Sequence, residues 1–242
     1  MAGLACLFAV AALYILAASF PKPLFAYRSV YQNYHVWSDR PIPDEITHVL
    51  DDVTRRLRSS SLHDRNTPVE IFFCNESWRL WLYGRSFHAR MGGAADVWLT
   101  RQVFIRASDI PANRILPPGR GPIADAAQRP LSYFIAHEIT HSDLSRSFGR
   151  TIMLRYPQWL LEGYPDYVGK AGDFDFEENR RLFAQGAWAL SRRSGLYRGF
   201  HLKVAYLLDK KGWTVQQLFA NPPREAELDA RLRAGPAPAP GG

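Results

Sequence analysis

The chain reads Ile-Ala-His-Glu-Ile-Thr-His at positions 135–141, a pattern with the periodicity of a buried helix. Ile135 and Ile139 are four residues apart, so they lie on one face of a helix and can pack into a core. His137 and His141 have the same spacing, which places their side chains about 5–6 Å apart at the Cβ atoms. The pattern therefore predicts a helix that carries two neighbouring imidazoles.

Two imidazoles one helical turn apart are the beginning of a metal site. His137 and His141 can each place a ring nitrogen about 2 Å from one zinc ion. Glu138 follows the first histidine directly, so its carboxylate projects beside the metal and can accept a proton from metal-bound water. The motif therefore predicts a zinc site with Glu138 as the catalytic base.

A third protein ligand is needed to hold zinc and to leave the fourth position for water. The segment Pro-Gln-Trp-Leu-Leu-Glu-Gly at 157–163 supplies it. Gly149 is a natural stop for the first helix, and Pro157 is favoured in the first turn of the next. A short loop lets the second helix run back against the first, with Glu162 opposite the histidines. We therefore expect one zinc ion per chain on the two histidines and Glu162.

Asp166 lies one helical turn beyond Glu162. A carboxylate at that position can accept the free N–H of a ligating histidine and fix its tautomer. We therefore expect Asp166 to orient a metal ligand.

The motif from His137 to His141 is followed by Trp-Leu-Leu-Glu-Gly-Tyr-Pro-Asp-Tyr at 159–167, with twenty residues between His141 and the glutamate, and together they resemble the gluzincin branch of the zinc metallopeptidases. More narrowly, it is similar to the single-domain proteins grouped as peptidase-MA-like. The resemblance is close over Leu131–Gly169 and looser over Tyr27–Phe200. It implies an α+β, zincin-like fold, in which a small twisted sheet packs on the active-site helix and the C-terminal half is mainly helical. The edge strand of that sheet would pair with extended substrate.

The resemblance also implies the activity, a zinc-dependent metallopeptidase acting on a peptide or protein substrate. Its metal ligands would be His137, His141 and Glu162. Glu138 would be the general base as zinc-bound water attacks the peptide carbonyl. One departure from the family is proline at 165, where a small residue is usual. Because proline lacks an N–H and can kink a helix, it affects the position of Asp166 more than that of Glu162.

The oxyanion formed in such an attack needs a hydrogen-bond donor besides the metal. Gluzincins supply a tyrosine or histidine from a later helix, and Tyr197, His201 and Tyr206 are the candidates here. Spacing does not choose among them, and each also suits a packing role. Gly92–Ala95 can line the cleft, because glycine permits close backbone approach, although a plain loop has the same composition.

The N-terminal segment Ala2–Phe20 contains no charged side chain and has the length of a bilayer-spanning helix. It predicts a transmembrane anchor or signal segment over 1–21. Lys22 and Arg28 follow it, which favours a cytoplasmic domain, but a start codon placed too late would give the same appearance. We expect a membrane-anchored protein with its domain on the exported side.

Two other classes of function compete with the peptidase. A catalytically inactive zincin-fold binding or scaffolding protein at the membrane would keep the metal, yet such a protein could discard Glu138 freely. The net charge of +7 raises the possibility of a nucleic-acid binder. Its arginines are scattered rather than gathered on one face or arm, so we expect no nucleic-acid partner.

The remaining segments divide the chain into a zincin-like peptidase domain over 27–233 and a disordered tail over 234–242, rich in Ala, Pro and Gly. Three tryptophans, Trp78, Trp81 and Trp98, are expected in the core. Alternation predicts strands, and helical spacing predicts helices. The predicted strands are Tyr34–Ser38, Val69–Phe73 and Gln102–Arg106, and the predicted helices are Pro43–Leu57, Leu131–Phe148, Gln158–Val168, Glu177–Ser191, His201–Lys210 and Val215–Phe219.

Overall fold

Strands lie in the first half of the chain and helices dominate the second, in a computed structural model that describes residues 2–84, 91–117 and 122–234. The strands are β1 (Tyr27–Tyr31), β2 (Tyr34–Ser38), β3 (Val69–Cys74), β4 (Gly93–Ala95), β5 (Val103–Arg106), β6 (Ser108–Asp109) and β7 (Arg114–Ile115). The helices are α1 (Ala2–Ser19), α2 (Ile46–Leu57), α3 (Ser77–Gly84), α4 (Leu131–Phe148), α5 (Ile152–Arg155), α6 (Gln158–Lys170), α7 (Phe176–Ala184), α8 (Arg198–Ala205), α9 (Val215–Ala220) and α10 (Glu225–Ala234). The predicted α+β class is confirmed.

The main sheet has five strands in the order β1-β2-β3-β5-β4. The three central strands are parallel, and the two edge strands are antiparallel to their neighbours. Val36, Ile71 and Val103 are in register across the parallel strands and are buried. Because side chains alternate along a strand, their neighbours Phe72 and Phe104 face the opposite side.

Helices cover the first of these faces, where α2 and α4 pack on the apolar row. The second face is covered by α3 and Phe25, with the Tyr83 ring stacked on Phe104 at 4.7 Å between centroids. Helix α4 therefore lies between the sheet and α6, and it is buried from Leu131 through Ser145.

The α4–α6 connection begins where the sequence predicts, but it contains the short helix α5 in place of a loop. Helix α4 ends at Phe148 with Gly149 at a φ of 95°, a conformation that favours glycine. Pro157 is the N-cap of α6. Helix α6 continues through Pro165 to Lys170, so the proline does not end it.

Several predicted elements have different bounds. The helix predicted over 177–191 ends at Ala184, and Gly186 follows with a φ of 72°. The helix predicted over 201–210 consists of α8 and a π-helical turn over Tyr206–Lys210. Trp78 and Trp81 are not in the core, because α3 leaves each about half exposed, at 48% and 49%. Apart from Ala234, the predicted disordered tail lies outside the described residues.

The predicted transmembrane anchor over 1–21 is wrong. Within residues 2–84, 91–117 and 122–234, no helix is long and apolar enough to cross a membrane. Helix α1 has 18 residues, about 27 Å at 1.5 Å per residue, against a hydrocarbon core of about 30 Å. The predicted membrane association rested on this anchor and is wrong with it.

Candidate metal centre

The candidate ligands come together where α4 and α6 cross. His137 and His141 lie one turn apart on α4, and both are buried. Glu162 extends from α6 toward them. These three residues are the group of metal-ligating side chains that the described part of the chain brings together.

The three ligand atoms form a nearly regular triangle. The two Nε2 atoms of His137 and His141 are 3.2 Å apart. The Oε2 atom of Glu162 is 3.4 Å from the first of them and 3.7 Å from the second. In a tetrahedral zinc site with bonds of 2.0–2.1 Å, neighbouring ligand atoms are about 3.3–3.4 Å apart. The donor set and its spacing therefore fit one zinc ion.

The charges of the ligands suit a cation. Burial alone would raise the pKa of Glu162, but hydrogen bonds from His137 and His141 hold it far below its usual value. Burial would lower the pKa of His141, yet the Glu162 carboxylate raises it. Glu162 is therefore anionic, the form in which a carboxylate binds metal.

Glu138 lies beside this triangle and lines the cleft above it. Burial raises the pKa of its carboxyl, while the two histidines and the backbone of Ala95 oppose that effect. A Cβ atom added at Gly93 would lie 2.9 Å from Cγ of Glu138. Strand β4 therefore packs tightly against Glu138 and fixes its side chain. Only glycine at position 93 leaves enough room for that side chain.

The cleft has a volume of about 310 Å³. One wall is the segment from Met91 to Ala95, so Gly92–Ala95 lines this cleft, and Gly93–Ala95 forms strand β4 rather than a plain loop. Helix α4 forms the floor, and Gly195 and Tyr197 contribute to the opposite wall. The edge strand of the sheet thus borders the candidate ligands directly.

Tyr197 is the predicted oxyanion donor that reaches the cleft. It is the N-cap of α8 with a φ of 56°, and its ring is stacked on the His137 imidazole at 5.8 Å between centroids. Burial, followed by the charges of Glu162 and Glu138, raises the pKa of its hydroxyl. The hydroxyl therefore keeps its proton and can donate a hydrogen bond at neutral pH.

His201 and Tyr206 are not in the cleft. The Nδ1 atom of His201 is 3.0 Å from Oδ2 of Asp166, and its ring is stacked on Phe174 at 3.7 Å. Tyr206 lies in the π-helical turn. The predicted catalytic role of His201 has no support in this arrangement, because its side chain bonds Asp166 and does not line the cleft.

Asp166 does not make the predicted hydrogen bond to a ligand histidine. Its carboxylate accepts from Tyr133 at 2.5 Å, Lys170 at 2.9 Å and His201. Burial would raise its pKa, but Lys170 and the other donors hold it well below the usual value. The Nδ1 atom of His137 is buried without a hydrogen-bond partner. Asp166 is therefore bonded to Tyr133, Lys170 and His201 instead of a candidate ligand.

Three residues near the centre were not found from the sequence. Tyr133 connects Asp166 to the ligands, since its ring centroid is 5.6 Å from that of His137. Its place four residues before His137 was a usable signal. Lys170 is fully buried against Asp166, and Arg129 lines the cleft. No local motif marks either cation.

Comparisons with known proteins do not indicate a function for this chain. No protein-family model, curated protein or solved structure matches this chain. What the chain does must therefore be inferred from the chemistry of this cleft.

Proposed function

We propose that the protein is a zinc metallopeptidase of the gluzincin type with a zincin-like fold. The observation that carries the proposal is the triangle of His137, His141 and Glu162, whose edges match tetrahedral zinc. Its support is the carboxylate of Glu138 beside the triangle, in a cleft bordered by a strand edge. These are the parts that metal-assisted hydrolysis requires.

When bound, zinc supplies Lewis-acid polarisation of the carbonyl and lowers the pKa of water toward about 7. Glu138 accepts the proton of the attacking water and passes it to the leaving amine. The Tyr197 hydroxyl donates a hydrogen bond to the oxyanion. An extended peptide lies along β4, whose backbone groups can pair with it as an added strand.

The direct test is metal content and cleavage by the full chain. We expect about one zinc per chain after reconstitution, measured by atomic absorption, because three protein ligands suffice for a tight site. We also expect cleavage of a random peptide mixture, measured as new amines, that stops on chelation and returns with zinc. A wild-type chain that stays metal-free in excess zinc would rule out the proposal.

Tyr197→Phe should lower kcat by about 10- to 100-fold with zinc content unchanged, because it removes an oxyanion donor that the metal only partly replaces. Tyr206→Phe is the matched control, since that hydroxyl lies outside the cleft, and it should cleave at the wild-type rate. Steady-state kinetics on one cleaved peptide measure both. Equal rates for the two variants would remove Tyr197 from the mechanism.

A further inference from the structure

Arg129 lines the cleft and carries a charge that has no role in the candidate metal centre. Among the described residues that line the cleft, the other ionisable groups near neutral pH are the three ligands and Glu138. These four belong to the hydrolytic centre. Arg129 therefore places a permanent positive charge in the cleft without a role in the proposed chemistry.

The cation is held by aromatic rings rather than by acids. Its guanidinium carbon lies 4.9 Å from the Phe134 ring centroid and 5.4 Å from that of Tyr133. Asp125, one turn earlier, lies 3.8 Å from Arg198 instead. The Nε atom of Arg129 is buried and has no hydrogen-bond partner among the described residues.

Arg129 is half-buried, and two lysines that are more deeply buried have carboxylate partners. Lys170 lies 2.9 Å from Asp166, and Lys203 lies 3.0 Å from Glu225. No ion pair among the described residues includes Arg129. Stacking on two rings accounts for its position, but rings do not satisfy the five N–H donors of a guanidinium. Because Nε is buried, the donors available to a planar anion that enters the cleft are those of the two terminal nitrogens.

The distance to the metal centre limits where that anion can be. The guanidinium carbon is 5.4 Å from the Tyr133 centroid, which is 5.6 Å from the His137 centroid, so at most about 11 Å separate Arg129 from the ligand ring. An extended peptide advances about 3.3–3.6 Å per residue. The anion therefore lies within about three residues of the bond at the metal.

We propose that Arg129 binds a carboxylate of the substrate within about three residues of the scissile bond. The substrates are then peptides with an acidic side chain near that bond, or peptides cleaved near their C-terminal carboxylate. This inference rests on the proposed peptidase function and specifies its substrate class. Arg129 acts as a specificity-determining residue, because its guanidinium can pair with a carboxylate through two parallel hydrogen bonds.

The test uses four peptide mixtures of equal length, neutral at every random position. One central position is Glu or Gln, and the C-terminus is free or amidated. We expect the zinc-loaded full chain to prefer one carboxylate-bearing mixture by about 10- to 100-fold in kcat/KM, the range for hydrogen bonds to charged groups. A preference for Glu identifies a side chain, and a preference for the free terminus identifies the C-terminal carboxylate.

Arg129→Gln should reduce that preference to about one. Arg155→Gln is the matched control, because Arg155 also stacks on a ring, at 5.5 Å from Tyr156, but lies outside the cleft. It should keep the full preference. Binding of the same mixtures, fluorescently labelled, to zinc-loaded Glu138→Gln protein gives a second readout that does not depend on turnover.

The outcomes separate this inference from the proposed function. Cleavage without preference, or a preference that Arg129→Gln retains, overturns the role of Arg129 and leaves the peptidase standing. Absence of any cleavage contradicts the proposed peptidase function. Binding of the labelled peptides then decides whether the cleft binds a carboxylate through Arg129. Carboxylate-dependent binding lost in Arg129→Gln supports a carboxylate-binding cleft, and equal binding of all four mixtures overturns it.

Discussion

Glu138→Gln should bind zinc as wild type does and cleave peptides about 10²–10⁴-fold more slowly, the usual contribution of a general base. Glutamine has the shape of glutamate, so it fits the narrow space that Gly93 leaves. Its carbonyl oxygen can still accept from the backbone of Ala95. What it lacks is the carboxylate that takes the proton from water, so turnover falls while the metal stays.

The measurement is kcat on a peptide that wild type demonstrably cleaves, with zinc content of the same preparation. Glu177→Gln is the control, since Glu177 is an exposed residue of α7 paired with Arg180 at 3.1 Å. Surface pairs contribute little, so the control should match wild type in zinc content and rate. If Glu138→Gln cleaves as fast as wild type, the observed activity belongs to another site or to a contaminant.

The same variant addresses the scaffold alternative. A scaffold on this fold would bind zinc yet cleave no peptide, and Glu138→Gln would then resemble wild type in every respect. A peptidase loses turnover and keeps metal. The pair of measurements therefore distinguishes the two functions even though both share the same three ligands.

The ligands were predictable because their placement is local. The spacing of His137 and His141 needs only the helical repeat. Glu162 needs one more step, the connection between Gly149 and Pro157, which ends α4 as predicted but contains the short helix α5 and has Pro157 at the N-cap of α6. Strand β2 follows in the same way, from alternation within five residues, and β3 from a short run of β-branched and aromatic residues. Short-range rules were sufficient for these elements.

The surroundings of the ligands depend on how distant helices pack. Asp166 was placed on the correct helix but given the wrong partner, because α8 supplies His201 from 35 residues away. Arg129 precedes α4 in an irregular segment, where no periodicity marks a cleft residue. The N-terminal segment is a different case: its apolar run predicted a membrane anchor, and no described helix is long and apolar enough to cross a membrane.

His137→Ala should weaken zinc binding by more than about 100-fold, since loss of a residue that merely orients a ligand already costs 10- to 100-fold. The weaker binding should reduce the free energy by which zinc stabilises the folded chain. Zinc at about 1,000 times its Kd stabilises the folded chain by about 4 kcal/mol, which corresponds to about 8–16 °C in Tm for a chain of this size. A 100-fold weaker site loses about 2.7 kcal/mol of that increment at the same zinc concentration.

His63→Ala separates a metal effect from a packing effect. His63 is also buried, and its Nδ1 atom is 2.9 Å from Oδ2 of Asp143, away from the cleft. Its removal leaves a buried carboxylate with one partner fewer, which should cost the metal-free protein about 1–3 kcal/mol. Because the ligand triangle is intact, the zinc-induced rise in Tm should remain at the wild-type value.

The two histidine variants should thus show opposite patterns in thermal unfolding with and without zinc. His137→Ala should gain at most about 1.4 kcal/mol from the same zinc concentration, about a third of the wild-type increment, whatever the loss of its stack on Tyr197 costs the metal-free protein. His63→Ala should start lower and gain the full increment. An undiminished zinc response in His137→Ala would place the ion elsewhere, and the peptidase proposal would lose the observation on which it rests.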